Sequence, residues 1–170
     1  MRELVLDAID RLCDAFDRHG YNPTPIIDLG VLVAAADGKV DDKERAVLLD
    51  VFQSLLDAKL TPEVVDAMVS ASLEVIQAAG AGPRARLVAE ILNDCDAVEP
   101  GMMVALAVAF ANEGLTAAEK KAVERISDAA GLPRERLEAL TKELRAQGGG
   151  KPEDVRSALT PGPPSSRSGR

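Results

Sequence analysis

Apolar residues recur at helical spacing along most of this chain. Between Glu3 and Arg18 they lie three or four positions apart with charged residues between them, which predicts an amphipathic helix. The segments 26–36 and 102–110 are almost entirely apolar, which predicts helices that are buried on most of their surface. We expect these two segments to form the centre of the core.

Local start signals predict where other helices begin. Asp41 with Glu44, and Thr116 with Glu119, have the spacing of a capping box. Prolines after Thr24 and after Thr61, and the proline at 133, suit the first turn of a helix. The segment 80–83 is predicted to separate the fourth helix from a short fifth one. The pattern therefore predicts an all-α fold of about eight helices in a compact bundle.

Composition changes near the carboxyl end of the chain. From Gln147 to Arg170, nine of 24 residues are Gly or Pro. Such a composition is typical of segments that do not build a core. We predict one helical domain at 1–146 and a flexible Gly/Pro/Ser-rich tail at 147–170.

The sequence contains an internal repeat with an offset of 75 residues. Residues 26–55 laid over 101–130 pair one apolar segment with the other, then Asp41 with Thr116 and Glu44 with Glu119. Buried helix, polar turn, capping box and amphipathic helix thus recur in the same order. The repeat predicts two related halves.

The turn of the first copy carries a family resemblance. Residues 36–44, Ala-Asp-Gly-Lys-Val-Asp-Asp-Lys-Glu, resemble the A-D-G-x-[IV]-x-x-x-E signature of TerB-like (tellurite-resistance TerB) helical domains, which is also found in the amino-terminal region of DjlA-type co-chaperones. The second copy, 111–119, keeps the hydrophobic residue and the final Glu but has Asn-Glu in place of Asp-Gly. The resemblance extends over roughly residues 24–142.

Charge and composition limit the functional classes. Residues 1–146 contain 16 Lys or Arg and 26 Asp or Glu, so the predicted domain repels phosphate backbones and we expect no nucleic-acid partner. The longest apolar run is too short to cross a membrane, and acidic residues near the amino terminus do not fit a secretory signal. We expect a cytoplasmic protein with Cys13 and Cys95 reduced.

Two interpretations of the acidic turns remain open. The first is capping and turn formation alone, with Lys39 or Lys43 satisfying Asp37. The second is a divalent cation, Ca²⁺ or Mg²⁺, bound by oxygen ligands. The resemblance implies metal binding at these positions, and the candidate ligands are Asp37, Glu44, Asn112, Glu113 and Glu119. A standard calcium loop is excluded, because Val33 and Ala35 occupy its first two carboxylate positions.

The sequence predicts a non-enzymatic protein, because no His, Cys or Tyr is placed to act as nucleophile or base beside the candidate ligands. The resemblance implies a stress or tellurite-resistance module in bacteria that binds protein partners, including a membrane-associated complex. The alternative is a divergent, metal-free helical adaptor that binds a partner protein through an apolar groove or through its basic tail.

Overall fold

Eight α-helices make up the computed structural model, which describes residues 2–56, 60–111 and 115–148. No strand occurs in these ranges, and the all-α prediction is confirmed. The helices are α1 (Arg2–His19), α2 (Thr24–Ala34), α3 (Asp42–Leu56), α4 (Pro62–Ala79), α5 (Ala81–Asp94), α6 (Val98–Ala109), α7 (Ala117–Ala129) and α8 (Arg134–Gly148), with one turn of 3-10 helix, Ala35–Asp37, directly after α2.

The two apolar helices form the centre of the core, as predicted. Every residue from Ile26 to Ala34 in α2 and from Pro100 to Ala109 in α6 is buried. α2 and α6 contact each other, and the amphipathic helices surround them. A helix that is apolar on all sides must be covered on all sides, which explains this arrangement.

The two halves of the chain pack reciprocally. α1 packs on α6 and α5 packs on α2; α2 contacts α4 and α6 contacts α8; α1 contacts α3 and α5 contacts α7. Each of these contacts therefore has a counterpart when α1 to α4 are matched with α5 to α8. The repeat seen in the sequence covered only the second and third helix of each half, and the structure extends it to all four.

Gly101 permits a close approach between α5 and α6. A Cβ at this position would lie 2.7 Å from Cδ2 and 2.8 Å from Cδ1 of Leu92. Leu92 is itself 1% exposed, so it has little room to move. The absence of a side chain at Gly101 therefore sets the distance between these two helices.

Three helix starts differ from the predictions. α6 begins at Val98, four residues before the predicted start at Met102, and Pro100 falls in its first turn. Thr24 was expected to cap α2 but is its first residue, with Pro23 at the cap; Asn22 Oδ1 accepts a hydrogen bond from the Thr24 N–H at 3.0 Å and satisfies that donor instead. α5 begins at Ala81, so that only Gly80, at φ +88°, interrupts the chain after α4. Pro83 falls in the first turn of α5, where a missing N–H costs nothing.

The helices of the described ranges differ in length and in apolar character. No single helix there is both long and apolar enough to cross a membrane. α4 and α5 taken together meet the criterion by length and composition, but they are bent by 113° relative to each other.

Candidate functional site

The first acidic turn joins the end of α2 to the start of α3. Gly38 adopts a left-handed conformation at φ +95°, and its N–H donates to the Ala35 carbonyl at 2.9 Å. Asp37 Oδ1 accepts a hydrogen bond from the Lys39 N–H at 3.0 Å. This contact is an ordinary turn of the Asx type, made with the backbone of Lys39.

The start of α3 is a capping box, as predicted. Asp41 Oδ1 accepts from the Glu44 N–H at 2.8 Å, and Glu44 Oε2 accepts from the Asp41 N–H at 2.7 Å. Two backbone donors at the helix start are satisfied in this way. The predicted capping hydrogen bonds of Asp41 and Glu44 are present.

The second capping box starts α7 and is less exposed than the first. Thr116 Oγ1 accepts from the Glu119 N–H at 3.1 Å, and Glu119 Oε2 accepts from the Thr116 N–H at 2.8 Å. The Glu119 residue is only 4% exposed. A carboxylate so deeply buried depends on the N-terminal hydrogen-bond donors of α7 for its solvation.

Tertiary packing brings the two acidic turns close to each other. The 3-10 turn Ala35–Asp37 contacts α7, the helix that Glu119 caps. Burial raises the pKa of Glu44; the hydrogen bond from the Asp41 N–H opposes this rise, and the negative charges of Asp41, Asp37 and Glu119 add to it. The negative charges of Asp41, Asp37 and Glu119 therefore act on Glu44 and favour its protonated form.

A divalent cation at the acidic turns would need several carboxylate oxygens that are close together. The hydrogen bonds above use Oδ1 of Asp37 and Oε2 of Glu44 and Glu119, so the second oxygen of each carboxylate takes no part in them. Within 2–56, 60–111 and 115–148, however, no three Asp, Glu, His or Cys side chains form a group that could hold a metal ion. The predicted ligands Asn112 and Glu113 lie outside the described residues.

A buried ion pair was missed by the sequence analysis. Asp28 is the one charged residue in the apolar segment 26–36, and its place near the start of that segment suggests a charge stabilised by the helix dipole. In the structure it lies beyond the first turn of α2, and its side chain is 4% exposed. Oδ2 of Asp28 accepts a hydrogen bond from Nη2 of Arg84, and Oδ1 accepts one from Oγ of Ser72 at 2.5 Å.

This pair joins α2, α4 and α5 in the core. The Arg84 side chain is 21% exposed, and its buried Nε atom has no hydrogen-bond partner. A charge inside an otherwise apolar helix was the signal in the sequence, since such a group needs a partner of opposite charge. Local spacing did not show which arginine it would be.

His19 contacts a backbone carbonyl near the end of α1. Its Nδ1 lies 2.8 Å from the Ala15 carbonyl oxygen.

A small apolar groove lies beside the first acidic turn, where α7 packs on the 3-10 turn. Its volume is about 200 Å³. Leu32, Ala35 and Ala36 line one side, Ala118 and Ala122 the other, and Lys121 and Arg125 stand at its edge.

Comparison with known proteins identifies the family. The family model "Tellurite resistance protein TerB" matches residues 24–142, which include both capping boxes and both central helices. Comparison with curated proteins and with solved structures gave no match. The matched segment covers more than half of the chain and ends within α8. The chain belongs to the TerB family.

Proposed function

We propose that this chain is a non-enzymatic TerB-family module of bacterial stress and tellurite resistance that binds a divalent cation at its acidic turns and acts as a scaffold for protein partners. Asp37, Glu44 and Glu119 would supply carboxylate oxygens to Ca²⁺ or Mg²⁺, with Asn112 and Glu113 as the further ligands. The bound cation would neutralise the turns and present a charged surface to a partner, including a membrane-associated complex.

One observation carries the cation part of the proposal. Burial is the main cause of the raised pKa of Glu44, and the charges of Asp41, Asp37 and Glu119 add to the rise. Asp37 and Glu119 belong to two different copies of the repeat. A divalent cation between like charges would relieve this repulsion, and oxygen atoms not used in capping are available on all three side chains. The family membership supports the module's setting.

The decisive experiment is calorimetric titration of the chelator-treated full chain with Ca²⁺ and with Mg²⁺. We expect saturable binding of at least one ion, and its loss in the double variant Asp37→Asn, Glu44→Gln. Gln at the third helical position still accepts the capping hydrogen bond, so the start of α3 should be kept.

The matched control is the double variant Asp128→Asn, Glu135→Gln, which removes two exposed carboxylates from α7 and α8. It should bind the ion as the unaltered chain does. If the unaltered chain gives no binding heat and neither ion changes its thermal midpoint, the cation proposal is wrong.

The proposed role in tellurite resistance is tested by a separate measurement, the tellurite tolerance of bacteria that express the chain. Bacteria that express the full chain should tolerate a higher concentration of tellurite than bacteria that express the Asp37→Asn, Glu44→Gln variant at equal protein level. Equal tolerance would separate the acidic turns from any role in resistance.

The second candidate is a metal-free adaptor. It is favoured by the absence of a metal-binding group among the described residues and by the 200 Å³ groove beside the first turn, which could take an apolar side chain of a partner protein. A photo-crosslinking residue at position 122 should then yield a protein adduct in the native bacterium that persists after chelation, whereas the same residue at position 10 on α1 should not.

A further inference from the structure

A second groove lies between α7 and α8, away from the acidic turns. Its volume is about 350 Å³, within the range of small-molecule sites, which is roughly 300–1,000 Å³. Leu106, Leu115, Val123 and Leu137 supply its apolar lining. Lys120, Glu124, Arg134, Glu138, Lys142 and Arg145 surround them with charged groups. An apolar lining with charged groups around it suits an amphipathic ligand.

The groove is lined by more positive than negative side chains. Glu124 is 3.9 Å from the Lys120 ammonium and Glu138 is 3.4 Å from Arg134 Nε, so each acid has a cation of its own helix beside it. Among the described residues, Lys142 and Arg145 have no carboxylate within ion-pair distance. They lie three positions apart on α8, and therefore on one face of it.

Arg145 is also held in place. Its guanidinium carbon stands over the ring of Phe110, 5.1 Å from the ring centroid. Such a contact orients a long side chain that would otherwise sample many rotamers. One end of the groove thus has a positioned cation with Lys142 beside it.

This cationic groove contrasts with the rest of the molecule. Residues 1–116 contain nine Lys or Arg and 20 Asp or Glu. Residues 117–148 contain seven Lys or Arg and six Asp or Glu. Four cations and two acids line this groove, and this local excess of positive charge attracts an anion.

The first half of the repeat has an ion pair at the equivalent place. Arg45 of α3 donates to Asp66 of α4 at 2.6 Å and thereby bridges the two helices. Its counterpart at the offset of 75 is Lys120, whose carboxylate partner, Glu124, lies on the same helix. Within the described part of α7 and α8, no such ion pair joins the two helices at this position.

We propose that the groove between α7 and α8 binds one amphipathic anion, a single aliphatic chain with a carboxylate or phosphate head. The chain would lie on Leu106, Leu115, Val123 and Leu137, and the head would accept hydrogen bonds from Lys142 and Arg145. Burial of each methylene group and the charge-assisted hydrogen bonds together supply the affinity. The site is independent of the cation proposal for the acidic turns.

Calorimetric titration of the full chain with dodecanoate, kept below its critical micelle concentration, tests this proposal. We expect saturable binding of one molecule, and affinity about tenfold weaker in the Lys142→Gln, Arg145→Gln variant, since two charged donors are lost. The control Lys121→Gln, Arg125→Gln removes the same charge from the other side of α7 and should bind as the unaltered chain does.

Two further measurements separate the apolar part from the charged part. Thr141→Phe places a ring in the groove and should abolish binding of dodecanoate while the thermal midpoint stays near that of the unaltered chain. Dodecyltrimethylammonium, with the same tail and the opposite charge, should bind at least tenfold more weakly than dodecanoate. Equal affinity for both amphiphiles would overturn the role of Lys142 and Arg145.

A vesicle measurement distinguishes a free amphiphile from a membrane. The full chain should not sediment with vesicles of phosphatidylglycerol and phosphatidylcholine, because the groove accommodates one chain and offers no extended apolar surface. Sedimentation with vesicles and no saturable binding of dodecanoate would show a membrane contact and contradict the proposal. Absence of dodecanoate binding to the folded chain would contradict it as well.

Discussion

Asp28 has the most consequential side-chain environment among the described residues. Its carboxylate is buried among apolar helices and is satisfied by Arg84 and by Ser72, which come from two other helices. A buried charge pair adds little stability compared with apolar packing, but removal of one partner leaves the other charge unpaired. The pair therefore selects one arrangement of α2, α4 and α5 over others.

The Arg84→Ala variant is accordingly expected to lower the free energy of unfolding by about 3 kcal/mol, because it leaves Asp28 buried beside Ser72 alone. Arg86→Ala on the exposed side of α5 is the matched control and should change it by less than about 0.5 kcal/mol. Urea denaturation at pH 7 measures both. Equal effects of the two variants would mean that Asp28 is stabilised by other groups.

The folded structure raises the pKa of Glu44, which caps the helix after the first acidic turn. Its pKa is raised above the ordinary value of 4.5, so the folded protein holds this proton more readily than the unfolded chain does. The stability contributed by Glu44 must then fall as the pH rises through its native pKa. Burial is the main cause, and repulsion by Asp41, Asp37 and Glu119 contributes.

The direction of this pH dependence of stability can be measured in metal-free protein with the Glu44→Gln variant, whose side chain cannot ionise. The difference in free energy of unfolding, unaltered chain minus variant, should decrease between about pH 4 and pH 7. Glu135→Gln on α8 serves as the exposed control. A difference that increases with pH for Glu44 would show that its capping hydrogen bond outweighs burial and repulsion.

Helix starts and helix contacts decide the structure at the scale of the element. The two capping boxes begin α3 and α7 where the sequence pattern placed them, because a side-chain cap and the donors it satisfies lie within four residues. Contacts between helices depend on distances that no local pattern contains. The approach of α5 to α6 at Gly101 is an example.

Gly101→Ala should destabilise the protein by about 2 kcal/mol, since the new methyl group would lie 2.7 Å from Leu92 and the surrounding core is closely packed. Gly82→Ala in the first turn of α5 meets no atom within 4 Å and should be neutral or stabilising by less than about 1 kcal/mol. Thermal unfolding compares them. A neutral Gly101→Ala would mean that Leu92 can move aside.

The whole molecule is organised by its repeat. Both central helices are buried because each is covered by helices of both halves, and this reciprocal packing accounts for the continuous core. Leu144 of α8 is fully buried, so the core includes the last described helix. The domain bounds 1–146 stay a prediction. Residues 149–170 lie outside the described residues, and their predicted independence of the core stays a prediction.

Removal of residues 149–170 should leave a cooperative thermal transition with a midpoint within about 2 °C of that of the full chain, if no core residue lies beyond α8. Removal from Leu140 onward deletes Leu144 and should lower the midpoint markedly or prevent folding, because that deletion opens the core. A large shift on removal of 149–170 alone would place part of the stable domain in the tail.

The sequence by itself determined the helical class and seven of the helix positions to within a few residues. It also determined the two capping boxes and showed that the second and third helix of each half repeat. These features depend on periodicity and on hydrogen bonds within one turn of helix, so they are local. The fifth helix was placed too late, because the Gly-Pro segment at 80–83 was taken for a linker although a proline suits a first turn.

Only the tertiary structure decided which charges meet. It paired Asp28 with Arg84 across 56 positions, brought the Asp37 turn against the helix that Glu119 caps, and extended the repeat to α1 and α5. It also left Lys142 and Arg145 beside an apolar groove. Each of these contacts joins residues from helices far apart in the chain, and such contacts follow from how the buried helices pack, which local spacing does not specify.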